Sequence, residues 1–187
     1  MHANYRDHAD PRAGHTAPIK PPFDARALGC GHPWQHFHVD PVRRRHAHLV
    51  DLDTVVGVWV EAFAHDPYFR WIAPSEDSYF AFARDWMTFI AELAFERGHT
   101  YLDPAGQLAT AWIPPDLSLV TIDNVDRARA IVAEHAGDAR AGHALTTIIA
   151  ARAHDLNEPH WTLQYIGVRS ASHGRGLGGC GAVDRTM

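Results

Sequence analysis

Cysteine is nearly absent from this chain of 187 residues, which carries only Cys30 and Cys180, far apart and each beside glycine. Two such thiols supply neither a disulfide framework nor paired zinc ligands. Long apolar runs are missing too, and none approaches the ~20 residues a helix needs to cross a bilayer. Nor does the chain open with the charged start and apolar stretch of a secretory leader. The expectation is a cytoplasmic protein with no membrane partner. A basic face is the third absence. Lys and Arg number 17 against 22 Asp and Glu, a formal net charge of -5, and the single basic run, Arg43-Arg44-Arg45, is short. A protein held to nucleic acid by phosphate contacts needs a basic face, so no nucleic-acid partner is expected.

What is present suffices for one core, since 46% of residues are hydrophobic and 21% charged. Residues 1–41 stand apart: rich in His, Pro, Ala, Gly and Asp, without apolar periodicity, they read as a disordered tail. Cys30, His32, His36 and His38 within it would be enough ligands for zinc. Their spacing fits no usual finger and Gly31 and Pro33 interrupt them, so no metal site is expected. The folded domain is placed at 42–187.

Along that domain the apolar period alternates between strand and helix. A first strand is expected within Val42 to Val50, then a helix capped by Asp51 or Asp53 with Val55, Val56, Trp59, Val60 and Phe63 on one face. A second helix begins at Pro74-Ser75, buries Phe82, Trp86, Phe89, Ile90 and Leu93, and stops at Arg97-Gly98. A hairpin follows, His99 to Leu102 and Gln107 to Ile113, turned by Asp103-Pro104-Ala105-Gly106. Two further helices are predicted, from Val125 to about His135 and from about Asp138 to His154, the latter with Leu145, Ile148, Ile149 and Arg152 set to sit on the sheet. His135, His143 and His154 read as surface or capping histidines, with no partner evident.

The most specific stretch is His160 to Val168 followed by His173-Gly174-Arg175-Gly176-Leu177-Gly178-Gly179. Nine residues rich in β-branched, aromatic and apolar side chains, bounded by Pro159, form a strand. The glycines behind it let backbone N–H groups converge on an anion. A nucleotide-triphosphate loop needs Gly-Lys-Ser/Thr, and no lysine is here. A dinucleotide fingerprint is matched literally by Gly174, Gly176 and Gly179 but needs a further βαβ unit and an acidic residue roughly 20 positions on. An oxidoreductase reading is therefore set aside.

The pattern that remains resembles the acyl-CoA signature of the GNAT superfamily of N-acetyltransferases, Gln/Arg-x-x-Gly-x-Gly/Ala after a strand ending like Ile166-Gly167-Val168. It departs at the first position, where Ala171 stands. Ala62-Phe63-Ala64-His65-Asp66-Pro67-Tyr68-Phe69-Arg70-Trp71 resembles an acceptor-side segment of a bacterial GNAT branch, and Ala109-Thr110-Ala111-Trp112-Ile113-Pro114-Pro115 resembles the close of its third strand. The resemblance implies an α/β (α+β) fold with a mixed, mostly antiparallel sheet flanked by helices. It implies acetyl-CoA as co-substrate, no metal, and a small-molecule or peptide amine as acceptor. The main chain of Ile166, Gly167 and Val168 would meet the pantetheine arm, and His173, Gly174, Arg175, Gly176, Leu177, Gly178 and Gly179 the pyrophosphate. Candidates for the general base are Glu158, His160 and Tyr165. Against the family pattern the domain reads as C-terminally incomplete, with strands missing after the loop and Gly179 and Gly181 a poor start for a helix. The alternative is thus an inactive truncated remnant or a non-catalytic CoA-binding module, and self-association through strand 160–168 is expected.

Overall fold

The computed structural model describes residues 44–115, 117–152 and 158–182. The tail expected at 1–41, with its Cys30 and histidine cluster, lies outside these residues, as does His154. Strand β1 is only Arg45–His46, pairing antiparallel with Tyr101 and Leu102. The longer strand expected over Val42 to Val50 gives way to a 3-10 turn at Leu49–Asp51. The Asp51 carboxylate holds that turn, accepting from His48 N–H at 2.9 Å and from both terminal nitrogens of Arg45 at 2.6 Å. Those bonds, the Arg45 guanidinium first, hold the Asp51 carboxyl well below the usual carboxylate range.

Helix α1 (Leu52–Ala62) buries Val55, Val56, Val58 and Trp59 at the helical period. Asp66 then caps a short helix that the sequence reading passed over, α2 (Pro67–Ile72): its carboxylate accepts from Tyr68 and Phe69 N–H, and Pro67 occupies the first helical position, where no N–H is needed. Arg70 locks the corner by donating to the Ala64 carbonyl, pairing with Glu76 at 2.8 Å and lying 4.3 Å from the Tyr79 ring centre. The long helix α3 (Glu76–Arg97) starts at the Ser75 cap and buries the expected stripe of Phe82, Trp86, Phe89, Ile90 and Leu93.

Strands β2 (His99–Leu102) and β3 (Leu108–Ile113) form the hairpin. Asp103 organises its turn, its side chain accepting from the N–H groups of Ala105, Gln107 and Leu108, while Gly106 takes a φ of 65°. Helices α4 (Val125–Ala136) and α5 (Asp138–Arg152) pack against each other, and α4 against α3. Here the expectation for α5 is corrected. Its buried positions are Ala141 and Ala144, small enough for close approach to α4, while Ile149 is exposed, so α5 lies on α4 and not on the sheet. His135 also has a partner after all, Asp85 of α3 at 2.7 Å.

Strand β4 (Thr162–Val168) completes an antiparallel sheet of order β1-β2-β3-β4. Helices α1 and α3 cover one face, where Ala109, Ala111 and Tyr165 join Trp59, Phe82 and Phe89 in the core. No helix among the described residues is long and apolar enough to cross a membrane.

Candidate functional site

Strand β4 bonds along one edge to β3, and among the described residues its other edge has no strand neighbour. The ladder is irregular. Ala111 faces Tyr165 but Trp112 faces Leu163, so Gln164 is an extra residue, a β-bulge that re-aims the backbone between Leu163 and Tyr165.

Side chains of β4 alternate between faces. Tyr165 and Gly167 point to α1. Gly167 is where the helix comes closest: an added Cβ would lie 2.9 Å from Trp59 Cδ1, 3.1 Å from Ala62 Cβ and 3.2 Å from Val58 Cγ1. The absent side chain thus serves helix–sheet packing. Tyr165 is buried among Trp59 and Phe63, and its hydroxyl accepts from Trp86 Nε1 at 3.1 Å. Burial pushes its phenol up to about 12. A phenol so placed is a core group and not a base facing an acceptor, which corrects the role suggested for it. Ile166 and Val168, half-buried, face the other side.

After Val168 the chain makes a 3-10 turn at Ser170–Ser172 and enters the glycine loop. Gly174 and Gly176 have φ of 76° and 75°, the left-handed conformation that glycine adopts without strain. A Cβ on Gly174 would meet nothing within 4 Å, so backbone conformation, not crowding, calls for glycine there. His173 Nε2 lies 3.0 Å from the Val168 carbonyl; a carbonyl only accepts, so this nitrogen carries the proton. His173, Gly174, Arg175 and Gly176 are exposed. The loop then opens helix α6 (Leu177–Ala182), contrary to the expectation of a poor helix start. The helix packs back on β3 and β4: Gly178 sits where a Cβ would be 3.9 Å from Val168 Cγ2, on the face opposite α1. Gly179 is exposed with open space around it.

Glu61, Arg169, Ser170 and Gln107 were not anticipated. The Glu61 carboxylate accepts from Ser170 N–H, Ser170 hydroxyl and Arg169 Nη1, bonds that hold its carboxyl below the usual range, those from Ser170 foremost. Nothing in sequence spacing joins residues 61 and 170; only packing of α1 over the end of β4 does.

Glu158 and His160 lie just before the other end of β4, whose seven residues span on the order of 20 Å at the usual rise per residue. Glu158 is exposed and His160 half-buried. His160 Nδ1 is 2.7 Å from the Glu158 carbonyl and must donate to it, which leaves Nε2 as the acceptor nitrogen of the neutral ring. The structure therefore brings the glycine-loop residues together at one end of β4, Glu158 and His160 at the other, and puts Tyr165 in the core between them. Among the described residues no group of three His, Cys, Asp or Glu side chains is placed to hold a metal ion.

No family model matches this chain, and no curated protein matches it. Among solved structures it is similar to a crystal structure from Corynebacterium glutamicum ATCC 13032 described as histone acetyltransferase HPA2 and related acetyltransferase. Sequence identity is 25% and the TM-score 0.52, over 73% of this chain and 65% of that one. The chain thus spans just under two thirds of that protein's length. Its helix-flanked antiparallel sheet is a GNAT-like fold, as the sequence motifs implied.

Proposed function

We propose that this protein is an N-acetyltransferase that moves an acetyl group from acetyl-CoA to the amine of a small molecule or peptide. The observation that carries the reading is a bulged strand running into a loop whose two glycines hold positive φ and whose far side opens a helix packed on that strand. The likeness in fold to an acetyltransferase supports it. The N–H groups of a loop with positive φ at Gly174 and Gly176 suit a pyrophosphate, and the β4 edge at Ile166 to Val168, which has no strand neighbour among the described residues, suits an extended amide-bearing arm that bonds like an added strand. The irregular backbone at Gln164 offers a place for an N–H to meet charge developing on the thioester oxygen.

In the reaction the amine lone pair forms a C–N bond to the thioester carbonyl carbon and the C–S bond breaks. The products are the amide and free thiol, with the amine's proton leaving to a base and a proton returning to sulfur. His160, whose Nδ1 donates to the Glu158 carbonyl so that Nε2 is the nitrogen able to accept a proton, is the base candidate we retain. Glu158 supplies its carbonyl to hold the ring, and its side chain is exposed. The open outer edge of β4 among the described residues favours one alternative, a CoA-binding module without turnover.

Thermal unfolding with ligand tests the reading. Acetyl-CoA at 100 times its Kd should stabilise by about 2.7 kcal/mol, roughly 5–10 °C for a chain of this size. Gly176→Val, which forces a β-branched residue to positive φ, should abolish the shift, and NADH should give none. A shift with NADH alone would overturn the proposal. Thiol release with an amine panel then separates the enzyme from the silent module.

A further inference from the structure

The chain just ahead of the glycine loop is fastened from two sides. Glu61 of α1 takes the Ser170 N–H at 2.7 Å and the Ser170 hydroxyl at 2.6 Å on Oε1, and Arg169 Nη1 at 2.8 Å on Oε2. The Arg169 guanidinium lies in a fitted slot: Nε donates to the Gly106 carbonyl at 3.0 Å, and a Cβ on Gly57 of α1 would stand 3.2 Å from Nη2. From the hairpin side, the Gln107 carbonyl accepts Arg169 N–H at 2.9 Å, and Gln107 Oε1 accepts the Ser172 hydroxyl at 3.0 Å.

Two consequences follow from the chemistry of these groups. Arg169, a cation beside a candidate anion loop, has Nε and Nη1 engaged with the Gly106 carbonyl and Glu61. Glu61 receives three donors, which a carboxylate can do and a carboxamide cannot, because a glutamine would turn an NH2 against Arg169 or Ser170. We infer that Glu61 is a positioning residue for anion binding: through Arg169 and Ser170 it fixes where the loop 173–179 stands over the end of β4, without touching the ligand. This rests on reading that loop as the acetyl-CoA pyrophosphate site.

The test uses the full chain with Glu61→Gln and, as a second variant that removes no charge, Gly57→Ala, whose methyl presses on the guanidinium. Hydrogen exchange of peptides spanning 169–177, measured without ligand, should quicken in both. In turnover, the KM for acetyl-CoA should rise on the order of 10-fold in Glu61→Gln, the worth of a lost charge-assisted bond, with kcat held. The same variant should handle S-acetylpantetheine, which lacks the pyrophosphate, as the wild type does. An equal loss with both donors would make Glu61 merely structural and overturn the inference. So would unchanged exchange in both variants while the wild type binds acetyl-CoA normally. A wild type that binds no acetyl-CoA would instead overturn the function proposed above, and the exchange data would still decide whether Glu61 holds the segment.

Discussion

Gly167→Ala offers the sharpest test of how β4 is held. The new methyl would stand 2.9 Å from Trp59 Cδ1, 3.1 Å from Ala62 Cβ and 3.2 Å from Val58 Cγ1, three contacts from three residues of one helix. Trp59 has little room to retreat, since it is fully buried and its Nε1 donates to the Ala109 carbonyl at 3.1 Å. Helix α1 must therefore lift from the sheet. Overpacking of this kind typically costs about 1–3 kcal/mol, and the reduced freedom of the unfolded chain returns about 0.4–1 kcal/mol. The net loss is roughly 1–2 kcal/mol, or about 2–8 °C in Tm. Urea titration and calorimetry of the variant measure it, with Gly179→Ala as control. A Cβ there meets nothing within 4 Å, and alanine favours the helix, so its stability should hold or rise. If Gly167→Ala left stability unchanged, the packing explanation would fail.

Tyr165 gives a pH signature: with its phenol at about 12 when folded and about 10 when unfolded, its contribution is intact below pH 10 and is lost as pH rises toward 12. Tyr165→Phe should flatten part of that alkaline loss. It should also cost about 1–3 kcal/mol near neutral pH by orphaning Trp86 Nε1; an unaltered alkaline melt would contradict the assignment. His160→Gln should lower kcat for thiol release by a factor of about 10²–10⁴ with KM for acetyl-CoA and Tm unchanged, and full activity in this variant would remove His160 as the base. The edge of β4 that has no strand neighbour among the described residues should lead the chain to associate, as a dimer or larger species in size-exclusion chromatography with light scattering, and Thr162→Lys should reduce this. A monomer at all concentrations would refute the edge argument.

The elements themselves were legible from local pattern. The stripe of α3 and its Ser75 and Gly98 limits, the β2–β3 hairpin with its Asp103 turn, and the strand running into the glycines are each specified by residues close in sequence. Side-chain period and turn chemistry act over a few positions, so they can be read without coordinates. Even where the reading passed over an element, as at Asp66-Pro67, a cap and a first-turn proline were the available signal. The partners of each face belong to tertiary structure. Gly167 and Tyr165 read as part of a ligand strand, yet α1 packs so closely that one has no room for a side chain and the other is a core hydroxyl held by Trp86. Likewise α5 lies on α4 because Ala141 and Ala144 allow that approach, which its scattered larger residues did not reveal. The Glu61, Arg169 and Ser170 cluster joins residues more than 100 positions apart, and its existence depends on how closely α1 settles over the end of β4. That distance is set by Gly57 and Gly167 together, and no local pattern encodes it.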